Sequence, residues 1–252
     1  MRCATRDKVL AIVSHELRQP LHVIQMNANL LARLPASTAP THIPRIAEAI
    51  QRAIESQARI INDLLDVSRV RIGRLTLHRS NLDLGKLVLD VVGSLSASWP
   101  PGRIGTELRS ASPLMCFADP VRLEQIVGNL LDNAVKFTPA GGQVVVRVTS
   151  EDGFARISVT DTGCGIAPEF LPEVFGLFSQ AGVAAEGLHG GLGVGLALVH
   201  GLTVAHGGFV KATSAGLNRG AEFSVWLPLH QSMRPEPPSP PTHADTSTIA
   251  SS

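Results

Sequence analysis

A histidine and a carboxylate stand side by side near the start of this chain, at His15 and Glu16. An imidazole is a nucleophile when one ring nitrogen is unprotonated, and a neighbouring carboxylate can hold the proton on the other. Pro20 lies five residues on and removes one helical backbone donor. The pattern predicts a helix that presents a nucleophilic imidazole, with His15 Nε2 free and Nδ1–H held by Glu16. The alternative is an ordinary surface histidine, as we assign to His22, which has no carboxylate neighbour.

A second predicted helix carries Asn129, Asn133 and Lys136 on one flank, away from its apolar stripe. It begins at Asp119, a favourable N-cap, and Pro120, which suits the first helical position. Amide oxygens four residues apart can ligate Mg²⁺, a cation that proteins commonly share with phosphates, and the lysine adds positive charge. Asparagine pairs are also common on exposed helix faces, so this pattern needs support from elsewhere in the chain.

Three glycine-containing stretches supply that support. Asp161 ends a predicted strand before Gly163 and Gly165, so its carboxylate can accept the adenine amino hydrogen while the glycines permit close approach. Residues 190–195 open a helix, where free backbone N–H groups and the helix dipole favour phosphate. The third stretch begins at Gly220 and precedes the last strand. The glycines of the second stretch are Gly190, Gly191, Gly193 and Gly195. Turns explain most single glycine runs, but this order predicts an ATP pocket.

Two amphipathic helices are expected to position the histidine. Apolar residues recur every three or four positions from about residue 5 to 34, and again from about 46 to 73. Prolines between residues 34 and 44 are expected to break the pattern. The prediction is an antiparallel helical hairpin. Because a lone hairpin leaves much apolar surface wet, we expect it to form a dimeric four-helix bundle.

Strands and helices alternate irregularly beyond Gly73. Alternating apolar residues predict strands at Leu75–Leu77 and near residues 144–148 and 157–159, and helices are expected at about 84–97, 120–137 and 194–205. Without a strict βαβ rhythm these elements predict an α+β sandwich. The predicted domains are the hairpin at 5–73, a nucleotide-binding domain at 74–230 and a disordered tail rich in Pro, Ser and Thr at 231–252.

The composition of the chain limits the kinds of molecule that it is expected to bind and the compartment in which it is expected to work. The 252 residues contain 22 Lys and Arg against 21 Asp and Glu, so no broad attraction to nucleic acid or to a membrane surface follows. No apolar stretch approaches the roughly 20 residues that span a bilayer. The three cysteines have no paired spacing, which fits a reducing compartment. We therefore expect a cytoplasmic chain with no membrane segment and no nucleic-acid partner.

Residues Ser14–Leu21 resemble the phosphoacceptor box of the sensor histidine kinases, the two-component signalling family. Residues 129–138 look like the N box of that family, the two longer glycine stretches like its G1 and G2 boxes, and residues 174–178 like its F box. The resemblance covers about residues 6 to 228. It implies that the second domain has the Bergerat ATP-binding fold, an α/β sandwich, and that the hairpin is the dimerisation and histidine-phosphotransfer domain.

The resemblance also implies residue roles. His15 would be phosphorylated, with Glu16 as its acid/base partner. Asn133 would be the chief Mg²⁺ ligand and Asn129 its support, while Phe137 would pack beside the adenine that Asp161 recognises. The remaining implied nucleotide contacts are Lys136, Gly163, Gly165, Gly191, Gly193 and Gly195. Residues 164–189, with Gly182 and Gly187, would form a lid over the phosphates.

Three residues depart from the family pattern. Gln19 stands where the family usually has Thr or Asn, the residue thought to position the water that dephosphorylates the partner regulator. This departure puts phosphatase activity in question, although glutamine can also donate a hydrogen bond. Ala221 replaces a Thr that often helps to bind adenine through water, and Gly176 weakens the usual polar F box. These two changes predict lower nucleotide affinity rather than its loss.

The implied function is that of an ATP-dependent protein histidine kinase with Mg²⁺. Such a homodimer would autophosphorylate His15 and pass the group to the receiver domain of a response regulator, under a sensor domain in a longer protein or on a separate partner. One alternative is an ATP-hydrolysing clamp of the topoisomerase or mismatch-repair type, which has Glu where Asn129 stands. Another is a scaffold with a decayed pocket. Whether transfer runs within or between protomers depends on the turn near residues 34–44 and stays open here.

Overall fold

The computed structural model describes residues 2–35, 39–96, 99, 103–109, 113–179 and 192–230. Two long helices form the predicted hairpin, α1 over Arg2–Ala32 and α2 over Ala39–Arg71. α1 continues through Pro20, whose side chain is buried. The predicted tail, 231–252, lies outside the described residues.

The expected break between the helices is shorter than predicted. α2 begins at Ala39, so Pro40 and Pro44 lie inside the helix rather than in the loop. Proline is tolerated in a first helical turn because the missing N–H has no intrahelical acceptor there. Pro44 lies one turn further and removes one backbone hydrogen bond, which the long apolar stripe of α2 compensates by packing.

The second part of the chain is built on a five-stranded sheet with the order β2-β4-β5-β7-β6. All of its neighbouring strands are antiparallel except β2 and β4, which are parallel. A separate antiparallel pair joins β1 to β3. The strands are β1 Ser80–Asp83, β2 Ile104–Arg109, β3 Met115–Ala118, β4 Val144–Glu151, β5 Phe154–Asp161, β6 Phe209–Thr213 and β7 Ala221–Pro228.

The strand predicted at Leu75–Leu77 is wrong. Both leucines are half-buried, but the segment before Ser80 pairs with no strand. Alternating burial here comes from packing against the domain, and a packed extended segment has the same residue pattern as a strand.

Three helices pack on the sheet and give the predicted α/β sandwich: α3 over Leu84–Ser96, α4 over Pro120–Phe137 and α5 over Gly195–Ala205. Their apolar residues and those of β4, β5 and β7 form one core. The buried residues of α4 are Leu123, Ile126, Val127, Leu130, Leu131 and Ala134. The polar flank of α4 therefore faces away from the sheet. Across the described ranges, no helix has the length and apolar character needed to cross a membrane.

Two side chains fix the start of α4. The Asp119 carboxylate accepts hydrogen bonds from the backbone N–H groups of Val121 and Arg122 at 3.1 and 3.3 Å. The Asp119 N–H in turn donates to Nε2 of the buried His206 at 3.1 Å, and His206 Nδ1 lies 2.8 Å from the Leu202 carbonyl. Because Nε2 accepts, the proton lies on Nδ1 and the ring is neutral.

We expect the stability of this domain to fall as the pH is lowered from 8 towards 5. Burial lowers the pKa of His206, the Leu202 hydrogen bond and Asp119 raise it, and Arg79 lowers it further. As the pH passes below about 6.5, the unfolded chain binds a proton at this histidine before the folded chain does, so unfolding becomes easier. The urea midpoint measured across this range checks the prediction against His206→Gln, which should be less stable but show a flatter pH profile. Parallel profiles would contradict it.

Candidate functional site

His15 is exposed on α1, and its ring contacts Gln19 one helical turn away. The Gln19 amide nitrogen lies 3.2 Å from His15 Nε2. An amide nitrogen only donates, so Nε2 is the acceptor and Nδ1 carries the proton. That is the tautomer in which Nε2 is nucleophilic, and the attack requires Gln19 to release it. The spacing of four residues, which places side chains on one face, is the signal that was available in the sequence.

Glu16 does not bond to His15 in the part of the chain that the structure describes. Adjacent residues on a helix point about 100° apart, so their side chains do not face each other. The predicted orienting hydrogen bond from Nδ1–H is therefore not formed in this arrangement. Glu16 acts instead on Lys136: burial lowers the pKa of Lys136, whereas the charge of Glu16 raises it. Val13 of α1 packs against the main hydrophobic core, so the helix that carries His15 lies against the second domain.

The amides on α4 face the beginning of α5. The Asn129 side-chain nitrogen donates to the Gln125 carbonyl at 2.9 Å, which leaves the Oδ1 atom for another partner. A Cβ atom built on Gly195 would lie 2.9 Å from that Oδ1, so the first residue of α5 must be small. Asn133 is half-buried one turn further along α4. Helix N-termini attract anions, so α4 and α5 bring amide oxygens and phosphate-binding N–H groups together.

Asp161 is the last residue of β5, and the loop that follows it contacts the end of α4. Its buried carboxylate accepts a hydrogen bond from Gly163 N–H at 2.8 Å. Burial raises the pKa of Asp161, whereas backbone hydrogen bonds from Gly163 and Ala221 lower it. Cys164 N–H donates to the Phe137 carbonyl at 3.1 Å, and a Cβ atom on Gly163 would lie 2.2 Å from that oxygen. The structure thus brings together Asp161, Phe137 and Gly163, which the sequence had assigned to one pocket.

The remaining glycines shape the loops around this pocket. Gly165 has a φ of +66°, and its Cβ would lie 2.1 Å from the Gly216 carbonyl. Gly193 has a φ of +65°, and its carbonyl accepts a hydrogen bond from Phe178 N–H at 3.0 Å, which joins the second glycine stretch to the predicted F box. Gly190, Gly191 and residues 180–189 of the predicted lid, with Gly182 and Gly187, lie outside the described residues.

The donor set fits Mg²⁺ that is shared with a nucleotide. No group of three His, Cys, Asp or Glu side chains converges within the described ranges to hold a metal alone. The amide oxygens of Asn129 and Asn133 are hard ligands, and Mg²⁺ completes its octahedron with water and phosphate oxygens. Lys136 lies on the same face, 5.1 Å from the centroid of the Phe137 ring.

Sequence reasoning missed Arg103, which supports the far end of α4. Its guanidinium donates to the carbonyls of Val135, at 3.1 Å, and Thr138. A cation that binds the last carbonyls of a helix stabilises that end. Arg103 thereby positions the residues around Phe137, but it is 32 residues distant in the chain and no local motif marks it.

Two family models match this chain. Residues 5–73 match the His Kinase A (phospho-acceptor) domain. Residues 118–231 match the histidine kinase-, DNA gyrase B- and HSP90-like ATPase family.

Similar proteins include the circadian input-output histidine kinase CikA of Synechococcus elongatus, 34% identical over 240 residues, and the histidine protein kinase DivJ of Caulobacter vibrioides, 37% identical over 229 residues. The matches cover 94% and 90% of this chain but 32% and 38% of those proteins, so the chain spans about a third of their length. The crystal structure of full-length ShkA in complex with AMPPNP is 29% identical, with a TM-score of 0.63 over 88% of this chain and 46% of that one.

Proposed function

Because this chain belongs to the sensor histidine kinases, we propose that it moves the γ-phosphoryl group of ATP onto its own His15 and then onto an aspartate of a response regulator. The observation that carries the proposal is the meeting of the two domains. Val13, two residues before the exposed His15, packs against the main hydrophobic core, and the charge of Glu16 partly opposes the burial that lowers the pKa of Lys136 on the pocket helix. This proximity supports an acceptor and a nucleotide site that work together in one chain.

Nucleotide binding is divided among three elements in this proposal. The Asp161 carboxylate accepts the amino hydrogen of adenine, and the N-terminus of α5 binds phosphate oxygens. Asn129 and Asn133 hold Mg²⁺, which when bound offsets the charge of the phosphates. The crystal structure of ShkA holds AMPPNP, which supports a nucleotide in this domain.

Phosphoryl transfer then needs an in-line approach of His15. The lone pair on Nε2 attacks the γ-phosphorus, the bond from phosphorus to the bridging oxygen breaks, and ADP leaves with that oxygen. The new N–P bond leaves a cationic ring that still carries the Nδ1 proton, and we assign Glu16 as the acceptor of that proton. Gln19 is assigned the weaker role of orienting water during dephosphorylation of the regulator, since its amide already donates towards Nε2.

A homodimer accounts for the exposed apolar residues of the hairpin. Several are about half exposed. On α1 they are Leu21, Val23, Met26, Leu30 and Leu31, and on α2 Ile43, Ile54, Ile61 and Leu65. A second copy would bury both sets in a four-helix bundle. We assign this core to the cytoplasm, with a receiver domain as its phosphoryl acceptor and with its input from a sensor domain on the same or another chain.

Incubation with γ-labelled ATP tests the proposal. We expect label on the protein that survives alkali and is lost in acid, as expected for phosphohistidine. Removing Mg²⁺ with a chelator should lower labelling at least about 100-fold, because the phosphate charge is then not offset. Steady release of inorganic phosphate without protein label would instead support the clamp. Absence of ATP binding in calorimetry would support the scaffold.

A further inference from the structure

One face of α4 carries six polar side chains, and it is the face turned away from the sheet. They are Arg122, Gln125, Asn129, Asp132, Asn133 and Lys136. At about 100° per residue they fall within an arc of roughly 100°, whereas the buried residues of α4 lie on the opposite side. The amides assigned to Mg²⁺ therefore share their face with residues that have no assigned role in nucleotide binding.

The first residues of this face bind α2 of the same chain. The Arg122 guanidinium holds the Asp66 carboxylate with two hydrogen bonds, Nη1 to Oδ2 at 2.5 Å and Nη2 to Oδ1 at 3.1 Å. Their side chains are only 18% and 7% exposed. Gln125 donates to Asp63 and Asp66, both at 3.3 Å. A bidentate, largely desolvated pair of this kind fixes orientation more strongly than a surface ion pair does.

Two further residues along this face of α4, Asp132 and Lys136, interact with the hairpin at positions nearer to His15. Asp132 lies 2.6 Å from Arg59 of α2, in a pair that is 43% and 65% exposed and therefore weak. Lys136 lies one turn further. Burial lowers its pKa, and the charge of Glu16 on α1 opposes that effect. As residue numbers rise along α4 they fall along α2, so the two helices lie antiparallel. Asn129 and Asn133 lie between the anchored start of α4 and the level of His15.

A steric contact supports the same placement from α5. A Cβ atom built on Gly201 would lie 2.6 Å from Val70 Cγ1. The last turn of α2 can therefore pack this closely against α5 only because residue 201 is a glycine. Two helices of the nucleotide-binding domain, α4 and α5, thus contact the hairpin of their own chain.

We propose that these contacts, which we call the hairpin clasp (Asp63, Asp66, Arg122 and Gln125, with Val70 against Gly201), hold each nucleotide-binding domain on its own hairpin, so that each protomer phosphorylates its own His15. This inference rests on the proposed function. With the clasp closed, the nucleotide-binding domain packs against α2 and against Val13 of α1, two residues before His15, in the same chain. Opening the clasp would break the bidentate Arg122–Asp66 pair and both Gln125 hydrogen bonds, which opposes exchange of the domain onto the partner's hairpin.

Mixed dimers test the direction of transfer. Purified heterodimers of a His15→Ala protomer with an Asn133→Ala protomer contain one intact histidine and one intact pocket, on different chains. We expect their labelling to be below about 5% of the wild-type level, because neither chain holds both parts. Labelling of the Asn133→Ala chain at about half the wild-type level would show transfer between protomers and overturn the inference.

A control separates this inference from the proposed function. A heterodimer of wild type with the His15→Ala, Asn133→Ala double variant should label to about half the wild-type level. If this control and the wild-type homodimer both fail to label, the proposed function fails, and the inference with it. If they label and the mixed dimer does not, the inference stands.

Arg122→Ala tests the clasp itself. We expect kcat for self-labelling to fall about tenfold, with KM for ATP changed less than about twofold, because the pocket is intact but is no longer held beside His15. Arg52→Ala is the matched control, since Arg52 pairs with Glu48 on an exposed face of α2. An unchanged kcat, or an equal loss in ATP affinity, would show that the contact has no positioning role.

Discussion

Replacing His15 with alanine should reduce labelling from γ-labelled ATP to background, at least about 1000-fold below wild type, because the nucleophile is removed. ATP binding should be unchanged, since the pocket lies in the other domain. The measurement is acid-labile label per chain at saturating ATP, with calorimetry on the same sample. We expect this loss of labelling to be one of the two largest effects that any single substitution in the chain produces.

His22→Ala is the matched control for that experiment. Both histidines are exposed on α1, and alanine is the most favourable helix residue, so neither change should disturb the hairpin. Within the described part of α1, Gln19 bonds to His15 and not to His22. Label that persists in His15→Ala, or that disappears in His22→Ala, would show that the phosphoacceptor has been assigned to the wrong histidine.

Asp161→Asn should weaken ATP binding roughly 30- to 150-fold, about 2–3 kcal/mol. The asparagine oxygen can still accept from Gly163 N–H, and the strand pairing of Asp161 with Ala221 does not depend on the side chain. The second carboxylate oxygen, however, becomes an NH₂ group. A donor then meets the amino donor of adenine, and the buried polar atoms on both sides lose their partner. Calorimetric titration with ATP and Mg²⁺ measures the effect.

Asp152→Asn is a suitable control for the loss of charge. Asp152 lies in the turn between β4 and β5 with a φ of +49°, a conformation that asparagine also tolerates. Its ATP affinity should equal that of wild type. GTP offers a second check, because a base with a carbonyl at the corresponding position should bind poorly to wild type and gain relative to ATP in Asp161→Asn. Equal ATP affinity in both variants would contradict the role given to Asp161.

The local parts of this account are visible in the sequence. Asp119 and Pro120 mark the start of α4, because capping depends on residues within one turn. Asp161 and Gly163 can be assigned to one pocket because they are only two positions apart in the chain. The hairpin follows from a period that extends over many turns, which is why its existence is predicted better than its ends. Pro40 was misjudged because proline can begin a helix, and Pro44 because packing of the long apolar stripe of α2 compensates the one backbone hydrogen bond that it removes.

The contacts between distant segments could not be predicted. Asp66 and Arg122 are separated by 56 residues, and each charge has many possible partners in the sequence. The same is true of Glu16, whose neighbour in the chain is His15 but whose charge acts at Lys136. Strand β2, at Ile104–Arg109, was missed because an edge strand with exposed residues lacks a clear alternation.

The central claim is that one polypeptide holds both the nucleotide and the imidazole that receives its phosphoryl group. Digestion of labelled wild-type protein under alkaline conditions, followed by fragmentation mass spectrometry, locates that group directly. The account predicts a single phosphoryl group in the peptide that contains His15, attached to its imidazole ring. A group on any other side chain, or consumption of ATP with no phosphorylated peptide, would contradict it.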